Sequence, residues 1–250
     1  MMERYLPAVL AAACFIVWWR RTTWPYLWEQ AANFNLVCIA VSLVLLSPQM
    51  APAFTWAAAW AGNNIEDLLG MFVHLIGLAV FAGNLIARVD FPNNAELTRF
   101  ISTRVSAPVT LALPILAALF TAGGVPPEPA DTILGGPGLL RSSGASALFA
   151  VGYGAAVIYI DALIVWALLI IRADPASART TTVYFAVAAV SASWGALLIV
   201  EVVTGWDLTD LLWLLICATA GGYIAAGWAG MCRIRRWLRP FQMPPGIGVD

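Results

Sequence analysis

Seven apolar runs, at roughly 4–19, 30–48, 65–87, 103–123, 145–171, 180–203 and 209–232, take up most of this 250-residue sequence. An α-helix rises about 1.5 Å per residue, so about 20 apolar residues cross the ~30 Å hydrocarbon layer of a bilayer. Hydrocarbon offers backbone amides no partner, so a run that crosses it has to be helical. The composition agrees. The chain is 61% hydrophobic and only 11% charged, where a soluble domain carries about 25% charged residues. The predicted fold is all-α: a polytopic membrane bundle of seven transmembrane helices over 1–232, followed by a short basic tail over 233–250.

Local signals mark the helix ends. Asn64 with Asp67 three residues on reads as a capping box opening the third span, and Asp207 with Asp210 as another before the seventh. Pro108 and Pro114 predict a kink in the fourth. "LAAAC", ending at Cys14, resembles a lipoprotein cleavage site. However, the apolar run continues through "FIVWW" to Arg20 and Arg21, a stop-transfer flank, so the first run is read as a retained span.

All 13 basic residues are arginine. Eleven of them fall in alternate inter-helix segments: Arg20 and Arg21; Arg88, Arg99 and Arg104; Arg172 and Arg179; Arg233, Arg235, Arg236 and Arg239. Only Arg4 and Arg141 fall on the other side. The positive-inside rule then places the N-terminus outside and the C-terminus in the cytoplasm. Arginine without lysine is the codon signature of a GC-rich genome, so a bacterial plasma membrane is expected. The net charge of −1 gives no reason to expect a nucleic-acid partner.

Trp18, Trp19, Trp24, Trp28, Trp56 and Trp60 read as interface anchors. Residues 51–62 are too short to span and are expected to be re-entrant or surface-lying. The Gly/Pro-rich stretch at about 123–143 reads as an outer connector. The four cysteines form no metal-binding spacing and read as small buried residues. Small residues at Ala218, Gly222, Ala226 and Gly230, and at Ala188, Ala192 and Ala196, form stripes suited to close helix packing or to a membrane-protein partner. Arg233, Arg235, Arg236 and Arg239 are expected to attract anionic lipid on the inner leaflet.

Ionisable groups at membrane depth are costly and so are the functional candidates. Asp161 lies well inside span five and His74, the sole histidine, inside span three. On a helix Asp67, Gly70, His74, Gly77 and Asn84 share one face, so His74 is expected to look into the bundle. Phe72, Leu75, Val80 and Leu85 are expected to face lipid. The candidate binding residues are thus Asp161, His74, Asp67 and Asn84. His74 is about 14 Å and Asp161 about 24 Å from the outer helix ends. A neighbouring carbonyl or hydroxyl is therefore the expected ring partner of His74. Glu66, Asp67 and Glu201 are expected close to water.

Other chemistries lack their residues. A retinal Schiff base needs a lysine, bis-histidine haem a second histidine, and an intramembrane aspartyl protease a second deep aspartate. A zinc site on one His and scattered Cys has no spacing to support it. "RSSGAS" at 141–146 lacks the first glycine of a rhomboid serine motif and reads as a helix start. No nucleotide-binding loop occurs. Neither a catalytic residue nor a cofactor or metal ligand set is expected, and the chain is read as non-enzymatic.

The stretch "LSPQMAPAFTWAAAWAGNNIEDLLGMFVHLIGLAVFAG", 46–83, resembles an actinobacterial family of multi-pass membrane proteins, described as transporters or as of unknown function. A proline ends one helix there, a short amphipathic piece follows, and Gly-Asn-Asn opens a helix that carries a histidine. The resemblance covers the first third of the chain. It implies a polytopic membrane fold and transport, and carries over no catalytic residues. Members of that family usually continue into a cytoplasmic domain. This chain ends 18 residues after span seven, so roles needing that domain are not expected. Small-molecule or ion transport or sensing is the expected function. A membrane-embedded interaction or regulatory subunit, of the phage-immunity type for example, is the alternative.

Overall fold

A computed structural model describes residues 6–24, 27–47, 53, 65–123, 144–173 and 177–238, with side chains at all of these except 27–28 and 233–238. The 51–62 piece apart from Ala53, the 124–143 connector, Asn64, Trp56, Trp60, Ser142, Arg4, Arg141 and Arg239 lie outside the described residues, as do the side chains of Trp28, Arg233, Arg235 and Arg236.

Among the described residues all regular secondary structure is helical, in seven helices: α1 (Leu6–Trp19), α2 (Leu27–Leu45), α3 (Ile65–Ile86), α4 (Asn94–Gly123), α5 (Gly144–Ile171), α6 (Ala178–Thr204) and α7 (Thr209–Leu238). Five of them, α3 to α7, are long and apolar enough to cross a membrane. The apolar part of α2, Glu29–Leu45, and the 14 residues of α1 are shorter.

Helices consecutive in the chain alternate in direction, in keeping with their contact registers. Gly70 meets Leu46 while Gly77 meets Cys38; Gly123 meets Ser146 while Gly152 meets Leu116; Gly222 meets Val187. Helices α1, α2, α3, α5, α6 and α7 close a ring, and α4 packs outside it against α5 and α3. One continuous apolar core fills the ring, from Ile16 and Leu36 through Leu78 and Val157 to Tyr223.

The helix ends differ in part from expectation. Asp207 does cap α7, but by accepting from the Thr209 backbone N–H at 3.2 Å rather than by pairing with Asp210. Asn93 forms a capping box that opens α4: its side chain accepts from the Glu96 N–H at 2.8 Å and donates to the Glu96 carboxylate at 3.1 Å. Helix α4 therefore starts nine residues before the apolar run, because "NAELTRFI" is amphipathic and hydropathy alone passes over it. At the other end α7 continues through Arg236 to Leu238, so the first basic residues after span seven extend a helix and do not form a separate tail. Gly205, at φ 73°, stops α6 in the left-handed conformation with its N–H bonded to the Glu201 carbonyl at 2.9 Å. A side chain there would be strained.

Proline acts on α4 through backbone hydrogen bonding. Pro108 has no N–H to give the carbonyl of Arg104 four residues earlier. Residues 102–106 widen into a π-helical turn, and the Tyr159 hydroxyl of α5 donates to the freed Arg104 carbonyl at 2.8 Å. The orphaned acceptor is thus satisfied from a neighbouring helix, as a low-water environment requires.

The faces of α3 need one correction. Val80 is 40% exposed, but Leu75 is 0% and Leu85 4% exposed. Leu85 in fact shares the polar stripe, and Leu75 packs inward because α3 contacts α2, α4 and α5 and hides more than half its circumference. Its outward face is Leu69, Ile76 and Val80. The buried acids correct a second expectation: Glu66 is 3%, Asp67 1% and Glu201 4% exposed, so helix packing covers all three.

Helices α5 and α6 come closest. A Cβ built on Gly154 would sit 2.6 Å from the Gly195 carbonyl oxygen, and one on Gly195 2.8 Å from the Gly154 carbonyl. Backbone cannot yield as a flexible side chain can. Gly154→Ala should therefore destabilise the bundle by about 1–3 kcal/mol through forced separation. Gly221→Ala, with nothing within 4 Å, should be neutral or stabilising by up to about 1 kcal/mol through helix propensity. Thermal unfolding of both variants in detergent checks this. Equal effects would mean that the α5–α6 approach carries no special constraint.

Candidate functional site

Two buried polar centres lie inside the ring. The first gathers at the junction of α1, α2 and α7. Arg20, 1% exposed, follows the end of α1, where the chain turns through a 3-10 segment. Its Nε donates to the Asn33 amide oxygen, its Nη1 to the Gly227 carbonyl at 3.0 Å, and its Nη2 forms an ion pair with Glu29. Asn33 in turn donates to the Thr23 hydroxyl at 3.1 Å, and that hydroxyl donates to the Arg20 carbonyl at 2.8 Å. Trp19 and Trp228 stack beside the cluster at 5.4 Å between ring centroids. Arg21, unlike Arg20, stays outside and lies over the exposed Trp18 ring at 4.4 Å. Arg20 is thus a satisfied internal clamp and not a solvated flanking charge.

Two aromatic layers mark the second centre. Towards the acidic helix ends, His74 of α3, Tyr153 of α5 and Trp194 of α6 pack edge to face, with His74–Trp194 and Tyr153–Trp194 both 5.6 Å apart. The His74 Nδ1 and the Tyr153 hydroxyl share a hydrogen bond of 2.8 Å. Towards the basic ends, Phe81, Tyr184 and Tyr223 form a second layer, with separations of 5.1, 5.7 and 6.2 Å. Asp161 follows Tyr153 by eight residues on α5, about 12 Å along the axis, and Phe81 follows His74 by seven on α3, about 10 Å, so Asp161 lies beyond the first layer and about level with the second.

Asp161 occupies one position of the inward stripe of α5, with Tyr153, Gly154, Val157, Ile160 and Ile164 as its buried neighbours on that helix. It is 0% exposed. The Ser191 hydroxyl of α6 lies next to it, and the phenols of Tyr153 and Tyr223 lie within its electrostatic reach. Even so, neither carboxyl oxygen closes a hydrogen bond. The same holds for Ser191 Oγ, Thr219 Oγ1, the Tyr223 hydroxyl, both polar atoms of the Asn35 amide and the Trp194 indole N–H. An aspartate at the centre of a membrane helix costs at least ~2.5 kcal/mol on insertion scales. The four further unsatisfied oxygens, one each on Asn35, Ser191, Thr219 and Tyr223, add to that cost.

Beside this group a cavity of about 30 Å³ is lined by Ser42, His74, Ser191, Trp194 and Thr219 with apolar side chains. His74 sits in the middle of the buried arc of α3, between Met71 and Leu78, so its residual accessible surface is cavity wall and not lipid face. A water needs about 10–15 Å³ measured this way, while organic ligands occupy pockets of about 300 Å³ or more. The cavity admits a small ion or a water or two and no organic solute.

The four residues singled out in the sequence do not form one site. His74 and Asp161 both belong to this centre but contact different partners: Tyr153 for the first, Ser191 for the second. Asp67 lies seven residues before His74, about 10 Å nearer the acidic end. Asn84 lies at the basic end, where it accepts from Arg88 at 3.0 Å on the exposed surface. The residues not anticipated are Arg20, Asn33, Asn35, Tyr153, Ser191, Trp194, Thr219 and Tyr223. Asn33 and Asn35 were accessible to the same depth argument, since an amide inside an apolar run is as hard to desolvate as a neutral carboxyl. Among the described residues no three His, Cys, Asp or Glu side chains converge to chelate a metal, and Cys14, Cys38, Cys217 and Cys232 are free thiols, with Cys38 buried but Cys14 exposed.

In comparisons with family models, with curated proteins and with solved structures, nothing matches this chain.

The His74–Tyr153 bond joins α3 to α5 across the ring. Tyr153→Phe should cost about 1 kcal/mol, the usual size of an interhelical hydrogen bond in a membrane protein. In a double-mutant cycle, Tyr153→Phe should cost nothing further once His74 is Phe. Additive losses measured by thermal unfolding would show that the two rings are not coupled.

Proposed function

We propose that this chain is a seven-span protein of a bacterial plasma membrane, N-terminus outside and C-terminus inside, that acts without catalysis in ion transport or ion sensing through Asp161. The carrying observation is the Asp161 carboxyl, fully buried among the helices, with neither its oxygens nor the neighbouring hydroxyls of Ser191 and Tyr223 hydrogen-bonded among the described residues. A purely structural carboxyl gains nothing from being left unsatisfied in an apolar bundle. The 30 Å³ cavity favours an ion over a small organic solute, and the resemblance of 46–83 to transporters points the same way. His74 and Tyr153 are assigned the role of holding the α3–α5 side of the site. Asp67 and Asn84, outside the cluster, are assigned positions towards the two ends of a path through it. Lipid surrounds the bundle, and the arginines from 233 onward are assigned to anionic headgroups.

One observation favours the alternative of an interaction subunit. Helix α4 is the least buried of the five long helices, and a groove of about 450 Å³ runs between it and α5, lined by Pro108, Ala112, Gly152, Ala155 and Ala156 among others. Small residues along such a groove suit a partner helix. The stripe on α7 does not: Gly222 packs on Val187, and Ala226 is 0% exposed.

Proteoliposomes loaded with a pH-sensitive dye, with radiolabelled Na⁺ or Rb⁺ outside, test the main reading. Asp161→Asn should remove ion flux while expression and unfolding temperature stay near wild type, since asparagine keeps an acceptor and adds donors. Unchanged flux per folded molecule would overturn the assignment to Asp161. Reporter fusions test the orientation separately. The 124–143 segment should report outside and residue 250 inside, as the arginine asymmetry requires. A reporter-active periplasmic C-terminus would invert the whole map.

A further inference from the structure

We propose that the Asp161 centre is a binding site for a small monovalent metal cation, sodium, built from Asp161, Ser191, Thr219, Tyr223 and Asn35. This rests on the ion-handling reading above and names its ion.

Five side chains from four helices carry six buried oxygens without a protein partner: both of Asp161, and one each of Asn35, Ser191, Thr219 and Tyr223. They are linked pairwise. Ser191 adjoins Asp161. Tyr223 lies within reach of Asp161 and adjoins Asn35. Ser191 and Thr219 line the same small cavity. Hard cations are bound by oxygen, and this set contains no sulfur donor. Its ring nitrogen, His74, already bonds Tyr153 through Nδ1.

Charge selects the valence. The set holds one carboxyl, and in a low-dielectric interior one negative charge balances one positive charge. A divalent ion would leave a net charge buried, at a cost of several kcal/mol. Size excludes organic cations, since the cavity of about 30 Å³ at Ser191 and Thr219 takes a particle no larger than a water or two. Charge density selects among the alkali ions: a full carboxylate attracts the smaller Na⁺ and Li⁺ more strongly than K⁺ because they approach it more closely. A proton alone would satisfy one carboxyl oxygen and leave the other acceptors as they are. A cation gathers several lone pairs at once, so it accounts for unpartnered hydroxyls and an amide that are linked to one carboxyl through shared neighbours. Binding replaces any proton on Asp161 one for one, so the charge of the centre does not change.

The test uses the full chain, purified in detergent and held at constant ionic strength with choline chloride replaced stepwise by NaCl, LiCl or KCl. Sodium and lithium should raise the unfolding temperature by about 5 °C at saturation, as expected for a ligand that binds only the folded state. Potassium should do little. Equilibrium binding of radiolabelled Na⁺ should approach one ion per chain. Asp161→Asn should abolish both effects. Ser191→Ala and Thr219→Ala, which remove one oxygen each and leave the carboxyl in place, should weaken Na⁺ binding about tenfold each and still fold. If stability follows pH and ignores sodium, the ion is a proton: ion handling at Asp161 survives and the sodium site falls. If wild type and all three variants respond alike to every salt, the oxygens are served by water, and both the sodium site and the ion-handling reading fall.

Discussion

The close approach of α5 and α6 at Gly154 and Gly195 sets the geometry on which the candidate site depends. Each glycine carbonyl occupies the space a β-carbon of the other would need, so the two backbones meet as closely as sterics allow. That contact fixes the antiparallel register of the pair. One turn beyond Gly195 towards the start of α6 comes Ser191, and two turns beyond Gly154 along α5 comes Asp161. Close backbones bring a short serine side chain within range of a short aspartate. Two larger residues at the crossing would move the helices apart by more than a hydroxyl can span. Packing in a membrane relies on such small-residue contacts because lipid supplies no hydrophobic drive between helices. The same device here also brings polar groups together.

The two buried charged groups are treated in opposite ways, and the contrast carries the functional argument. Arg20 has Glu29 as counter-ion, with Asn33 and the Gly227 carbonyl as further acceptors. A charge paired and hydrogen-bonded this fully ties three helices together, and removing one partner would leave the other stranded at a cost of about 3–5 kcal/mol. Among the described residues neither oxygen of Asp161 closes a hydrogen bond, and the hydroxyls of Ser191 and Tyr223 near it are unpartnered too. The chain therefore builds a complete polar network where structure alone is at stake. The incomplete network elsewhere is best understood as leaving coordination for something that comes and goes.

Much of the fold was legible because the hydrocarbon constraint is simple. Long apolar runs have one backbone solution; a helix overlaps each of the seven expected segments, and five of these helices are long and apolar enough to cross a membrane. What hydropathy missed lay where helices are amphipathic or basic: the first nine residues of α4 and the last turns of α7. The inward turn of His74 was legible from the small and polar stripe Asp67, Gly70, Gly77. The inward turn of Leu75 was not, because apolar residues on a membrane helix look alike whether they meet lipid or a neighbouring helix. Asp161 stood out by charge alone. Its neighbours Ser191, Thr219 and Tyr223 did not, since single hydroxyls are common in apolar helices and only the register of four helices brings these together. Arg20 was misread for a related reason. An arginine beside a helix end usually stays in the interface, and nothing short of tertiary structure shows that Glu29 and Asn33 draw it inward.

Ion handling at Asp161 would require motion of a particular kind. The carboxyl is 0% exposed, so anything reaching it from the acidic ends passes the His74, Tyr153 and Trp194 layer, and anything from the basic ends passes beside Phe81, Tyr184 and Tyr223. Separating α5 from α6 would break the backbone contact at Gly154 and Gly195, and separating α1 from α7 would strand Arg20. Rotating a ring breaks far less. On the His74 side the cavity already touches the ring edges of His74 and Trp194. A rotamer change there widens an existing space at the loss of one hydrogen bond, the one His74 shares with Tyr153. On the opposite side Phe81, Tyr184 and Tyr223 pack on one another, so turning one ring disturbs the other two. The layer nearer the acidic helix ends has a cavity beside it into which a ring can turn.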